Sequence, residues 1–135
     1  TRLMAPINCI AVTLLRMRVV VLGASDKPSR TSYEAVEMLM EYKHEVVPIH
    51  PKATEIHGVP VLHSLEEISG PVDTVTVYLN KDRSWPLREA IKALQPRRVI
   101  FNPGSESEDL SAFLQEAGIE VTDFCTLLLL KYGTF

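Results

Sequence analysis

Five short runs of apolar and β-branched residues recur along the chain, and the stretches between them change period. The runs are Arg18–Leu22 (RVVVL), Glu45–Ile49 (EVVPI), Val72–Tyr78 (VDTVTVY), Arg98–Phe101 (RVIF) and Ile119–Thr122 (IEVT). RVVVL is apolar at successive positions, the pattern of a strand covered on both faces. Val59–Leu62 is a weaker sixth run, and its Pro60 argues against a central place in a sheet.

Between the runs, apolar residues fall at three- and four-residue spacing, which predicts helices. The first opens at Thr31-Ser32-Tyr33-Glu34, which has capping-box spacing, and carries Ala35, Val36, Leu39 and Met40 on one face up to Tyr42. The second opens at Ser84 with Pro86 in its first turn, repeats Leu87, Ile91 and Leu94, and closes at Pro96. The third opens at Ser105, turns Leu110, Phe113 and Leu114 inward, and stops at Gly118. A short turn, Ser64–Ile68, precedes the third strand. Strands alternating with helices predict βαβ units. The fold class is therefore α/β, a doubly wound, mostly parallel sheet of about five strands in a three-layer αβα arrangement.

Ligands of such sheets sit at the carboxyl ends of the strands, near the point where strand order reverses. The first strand is followed by Gly23-Ala24-Ser25 and, after Asp26–Ser29, by Arg30 at a helix start. A glycine permits close backbone approach, the helix start offers unpaired N–H groups, and Arg30 adds a bidentate cation: together they favour a phosphate. G-x-G-x-x-G does not occur, so the dinucleotide signal is weak. After the second strand stands His50-Pro51-Lys52. An NAD site places a carboxylate there for the ribose hydroxyls; Lys52 instead favours a nucleotide with an extra phosphate, such as NADP or coenzyme A. After the third strand comes Tyr78-Leu79-Asn80, of which Tyr78 and Leu79 offer an adenine wall. Asn102-Pro103-Gly104 after the fourth allows close backbone passage and is equally a routine turn.

Composition narrows the field. A length of 135 residues suits one domain, and 46% hydrophobic with 23% charged residues suits a globular chain. Fourteen Lys and Arg against seventeen Asp and Glu leave no basic excess, so nucleic acid is not an expected partner. No apolar stretch reaches the roughly 18 residues of a membrane span. Cys9 and Cys125 are too few for a disulfide framework and read as buried thiols in a reducing, cytoplasmic setting. Pro6 and Asn8 interrupt the apolar start, so residues 1–16 read as an N-terminal extension and 17–135 as the domain. His44, His50, His57 and His63 lack H-x-x-x-H spacing and no metal site is expected. His44 reads as a cation at a helix end, His50 as a site-edge residue, His57 and His63 as loop residues. A G-x-S-x-G elbow and a P-loop are both absent from the sequence.

The segments VVVLGASDKPSRTSYEAVEMLM, EVVPIHPKATEIHGVPVLHSLEEI, PVDTVTVYLN, VIFNPGSESEDL, AGIEV and CTLLLLKYGTF resemble the stand-alone coenzyme A-binding domain family. These are small Rossmann-like proteins similar to the N-terminal domain of the succinyl-CoA ligase α subunit. The similarity runs from Met17 to Phe135; G-A-S-x-x-P-x-R and P-K-x-x-E-I-x-G-x-P-V are together its specific part. The resemblance implies that Gly23, Ala24 and Ser25 cradle a pyrophosphate, with Arg30 and Ser32 nearby. Pro51 and Lys52 would receive the adenosine phosphate end, while Tyr78, Leu79, Asn80, Pro103 and Gly104 would form the rim. Two departures stand out: His50 replaces the family's usual Asn, and Asn102-Pro103-Gly104 replaces a frequent Gln-x-Gly. The related ligases need further domains for chemistry, so the implied function is non-catalytic binding of coenzyme A or an acyl-CoA. Such a module would serve as a sensor, carrier or regulatory subunit, as a homo-oligomer or with a protein partner. The alternatives are a small NADP-dependent reductase, an acyl-transfer enzyme using Cys125, and an interaction domain with a vestigial cleft.

Overall fold

The structure is a computed structural model that describes residues 16–135; residues 1–15, with Cys9 and almost all of the expected extension, lie outside the described residues. In chain order the elements are β1 (Arg18–Leu22), α1 (Thr31–Glu41), β2 (Glu45–Ile49), β3 (Glu55–Ile56), β4 (Val59–Pro60), β5 (Thr74–Val77), α2 (Lys81–Ser84), α3 (Arg88–Ala93), β6 (Arg98–Phe101), α4 (Glu108–Glu116), β7 (Glu120–Asp123) and α5 (Thr126–Lys131). Five strands make one sheet in the order β2-β1-β5-β6-β7, and every neighbouring pair is parallel. All five predicted runs are strands of this sheet, although Val72–Tyr78 narrows to Thr74–Val77. Val59–Leu62 does not add a sixth. β3 and β4 pair only with each other, and Leu62 forms a single bridge to Ile49 beside the edge strand β2.

The continuous apolar runs are explained by burial on both faces. Val20, Leu22, Val75, Val77, Val99 and Phe101 pack with Ile91 of α3 and Leu110 and Leu114 of α4. Their neighbours Val19 and Val21 face the other way, onto Val36 and Leu39 of α1 and Leu130 of α5. Alternate residues therefore enter opposite helical layers, each large side chain contributing about 1.5–3 kcal/mol of burial. The chain leaves β1 sideways to β2 and returns on the far side as β5, so strand order reverses between β1 and β5. The loops after those two strands diverge there and leave a crevice.

The three predicted helices exist, but their starts differ. α1 has Arg30 at its N-cap and no side-chain cap, so the box expected from Thr31 does not form. The Lys27–Arg30 turn, closed by Arg30 N–H to the Lys27 carbonyl at 3.0 Å, makes Arg30 the last extended residue. Ser84 is not a cap. Asn80 Oδ1 accepts from Arg83 N–H at 3.0 Å and starts α2 earlier, leaving Ser84 buried as its last residue. Pro86 has no N–H to continue the ladder, and the helix lapses into a 3-10 turn, Trp85–Leu87, before α3. Ser107, rather than Ser105, caps α4 by accepting from Leu110 N–H at 3.1 Å.

Ser105 instead belongs to a buried polar junction at the end of β6. Asn102, 2% exposed, donates through Nδ2 to Thr76 Oγ1 (2.6 Å) and the Val77 carbonyl (2.9 Å), and its Oδ1 accepts from Thr126 N–H (2.8 Å). The Thr76 and Thr126 hydroxyls pair at 2.7 Å, and Ser105 Oγ lies 2.7 Å from the Asn102 carbonyl and 2.9 Å from that of Val77. One side chain thus joins the ends of β5 and β6 to the start of α5. Asn102→Ala leaves several buried groups unpaired and is expected to cost about 2–4 kcal/mol. Thermal melting should register this as a fall in Tm of roughly 10 °C; an unchanged Tm would show the junction to be dispensable.

Candidate functional site

The crevice at the carboxyl ends of β1, β2 and β5 has a volume of about 440 Å³, within the ~300–1,000 Å³ of small-molecule sites. Its lining is Gly23, Ala24, Ser25, Asp26, Lys27, Arg30, Thr31, Ser32, His50, Pro51, Tyr78, Leu79 and Arg83. Three larger hollows, of about 830, 760 and 560 Å³, lie elsewhere: along the β2 edge, around Arg16, Arg18 and Glu45 at the amino ends of the strands, and beside the start of α4. The first two lack a strand's carboxyl end joined to a helix start, which is what makes a doubly wound sheet a nucleotide scaffold; the third has both, but Glu106, Glu108, Asp109 and Asp123 line it against the single cation Lys81, a set that repels a phosphate. The smaller cleft is the candidate site.

Its geometry follows from the β1–α1 loop. Gly23 has φ +89°, and a Cβ there would meet the Leu79 side chain and backbone at 3.0–3.1 Å. Only glycine lets the two loops pass this closely. Ala24 N–H is committed to the Ile49 carbonyl at 3.1 Å, which ties the loop to the end of β2. Ser25 Oγ accepts from Lys27 N–H at 3.1 Å, folding the loop back before α1. The first N–H groups of α1, without a side-chain cap, open onto the same space.

Charge sorts by position. Lys27, Arg30 and Arg83 line the cleft, all exposed, against the single carboxylate of Asp26. The two side-chain ion pairs among the described residues, Arg18–Glu45 and Arg97–Asp73, lie at the opposite ends of the strands. The cleft cations are in neither. A chain with net charge −3 therefore presents three unpaired cations beside a helix N-terminus, a donor set suited to a polyphosphate. Tyr78 forms part of the wall. Its Oη is buried with no hydrogen-bond partner, and burial pushes the phenol well above its ordinary range.

Of the residues singled out from sequence, Gly23, Ala24, Ser25, Arg30, Ser32, Pro51, Tyr78 and Leu79 come together in this lining; Lys52, Asn80, Pro103 and Gly104 do not. Lys52 is exposed one residue past Pro51, Asn80 is spent capping α2, and Pro103 and Gly104 are exposed in the loop after β6. Arg83 was not read as a site residue. The signal for it is Asn80, whose cap sets the direction of the first turn of α2. His44 is no helix-end cation: its Nδ1 accepts from Met17 N–H at 3.1 Å, and burial, helped by Arg98, pushes its pKa below the usual range. His57 and His63 are braces, their Nε2 atoms 3.1 and 3.3 Å from the carbonyls of Tyr33 and Ala53. Cys125, read as a core thiol, is only half-buried at the start of α5. Among the described residues no group of side chains is arranged to hold a metal ion, and no helix is long and apolar enough to cross a membrane.

The model of a family described as the CoA binding domain matches residues 17–131. The chain is 30% identical over 109 residues to the uncharacterized protein YneT of Bacillus subtilis (strain 168), covering 80% of this chain and 81% of that one. It is 34% identical over 64 residues to the alpha subunit of acetate–CoA ligase [ADP-forming] II of Pyrococcus furiosus. That match covers 47% of this chain and only 14% of the subunit. A crystal structure of an uncharacterized protein superposes with TM-score 0.84 at 40% identity, covering 89% of this chain and 98% of that one.

Two substitutions test the geometry without a ligand. Gly23→Ala forces a side chain into a left-handed backbone against Leu79 and should cost about 1–3 kcal/mol in urea unfolding. Tyr78→Phe removes a hydroxyl that bonds to nothing and should leave stability within about 1 kcal/mol of wild type, or raise it. A large loss from Tyr78→Phe would reveal a partner for the hydroxyl.

Proposed function

The chain belongs to the CoA binding domain family, and on that premise we propose that it binds coenzyme A or an acyl-CoA in the β1–β2–β5 cleft without chemistry of its own. One observation carries this reading. Lys27, Arg30 and Arg83, paired with no carboxylate among the described residues, line one cleft together with the uncapped start of α1. Phosphate oxygens satisfy both the cations and the free N–H groups. Gly23 to Ser25 form the floor beneath the pyrophosphate, with Arg30 and Ser32 at its side. Tyr78 and Leu79 supply the apolar wall that an adenine or pantetheine arm needs. Pro51 and Lys52 flank the adenosine phosphate end, and Asn80, Pro103 and Gly104 form the outer rim.

The cleft's histidine, His50, has its Nδ1 taken up by the backbone N–H groups of Lys52 and Ala53, so that nitrogen serves the turn. A module of this kind would report coenzyme A status to a partner as a sensor or regulatory subunit.

Isothermal titration calorimetry with coenzyme A, NADP and NAD, one at a time, tests the reading. Heat with coenzyme A alone is the expected result; heat with NADP in its place would favour the reductase alternative, and no heat with any would overturn the proposal. Arg83→Glu should weaken coenzyme A binding roughly 10- to 100-fold while leaving Tm unchanged, because the side chain is exposed.

A further inference from the structure

His50 stands at the carboxyl end of β2 and lines the cleft. Two backbone N–H groups, those of Lys52 at 3.0 Å and Ala53 at 2.9 Å, both point at its Nδ1. A donor requires a lone pair, so a ring nitrogen receiving two donors carries no hydrogen of its own. The neutral imidazole must then hold its hydrogen on Nε2, which makes no hydrogen bond among the described residues. The same two bonds close the 50–53 turn as an Asx side chain would, and they fix the ring's orientation. Residue 50 is further anchored by its own N–H to the Leu62 carbonyl at 3.0 Å.

The consequence is chemical. A carboxylate at the end of the second strand accepts from ribose hydroxyls. This ring does the reverse: its only acceptor is filled by the turn, and its only free atom of interest is a donor. We propose that His50 is a specificity-determining residue, donating from Nε2–H to a phosphate oxygen on the ligand's ribose. The inference rests on the coenzyme A reading and adds to it the group that distinguishes a phosphorylated ribose from a bare one. A phosphate oxygen accepts such a bond about twice as strongly as a neutral hydroxyl, so the ring selects the phosphorylated ligand. The tautomer, set by Lys52 and Ala53 N–H, is in place before any ligand arrives.

Two measurements test this. Nitrogen-15 long-range correlation spectra of the free protein report which imidazole nitrogen carries hydrogen; His50 should have it on Nε2, and a hydrogen on Nδ1 overturns the proposal with no ligand involved. Calorimetry then compares coenzyme A with 3′-dephospho-coenzyme A for wild type and for His50→Ser. Serine is neutral, keeps an acceptor for the turn and lacks the far donor. Wild type should prefer coenzyme A, and His50→Ser should shrink that preference roughly tenfold or more. If the variant keeps the wild-type preference, or loses affinity for both ligands equally, His50 does not read the phosphate and the inference fails while coenzyme A binding stands. If the wild type binds neither ligand, the binding reading itself fails and this proposal falls with it.

Discussion

A parallel sheet has two unlike ends, and this molecule is organised by that asymmetry. Because all five strands run the same way, every strand delivers its carboxyl end at one pole, and there the helices that follow β1, β5, β6 and β7 begin. Helix starts carry unpaired donors and partial positive charge, so that pole attracts anions before any side chain is chosen. At the cleft the side chains reinforce this: Lys27, Arg30 and Arg83 gather there unpaired, while Glu106, Glu108, Asp109 and Asp123 hold the same pole beyond β6, and Arg18 and Arg97 at the other pole are matched by Glu45 and Asp73. Burial alone would push the Asp73 carboxyl up, but hydrogen bonds from Arg97 and Thr74 outweigh it and hold it below its ordinary range.

The strands were legible because burial on both faces leaves little choice of residue. In RVVVL every position after Arg18 meets a helical layer, and the run states this directly. Helix starts were less legible, since a cap is chosen by the turn before it and not by residue type. Thr31, Ser84 and Ser105 are all acceptable caps in isolation; Arg30, Asn80 and Ser107 hold those places because their backbones are the last extended ones. Arg83 is illegible in sequence for the same reason: its approach to the cleft depends on where α2 begins. Asn102 read as an ordinary turn residue because its importance lies in partners 24 to 26 positions away in sequence, which no local pattern can announce.

The cleft walls are held in different ways. The Gly23 side is fixed by close backbone contact with Leu79 and by Ala24 N–H on the Ile49 carbonyl. The β2 side is fixed by an imidazole serving as a turn acceptor. Asn102 ties the ends of β5 and β6 to the start of α5 through bonds buried from water, where they are strongest. None of these devices needs a ligand to form. Preorganisation of this kind lowers the ordering cost of association, so binding strength can be directed toward discrimination.

The edge strand β2 contains Pro48, whose carbonyl already accepts from Leu62 N–H at 3.0 Å, while the Leu62 carbonyl takes His50 N–H. A foreign strand approaching that border would find one amide donor missing and the neighbouring groups occupied. On the opposite border, β7 exposes Glu120 and Asp123, and like-for-like stacking of copies would set carboxylates side by side. Lateral fibre-like growth is thus discouraged at both margins.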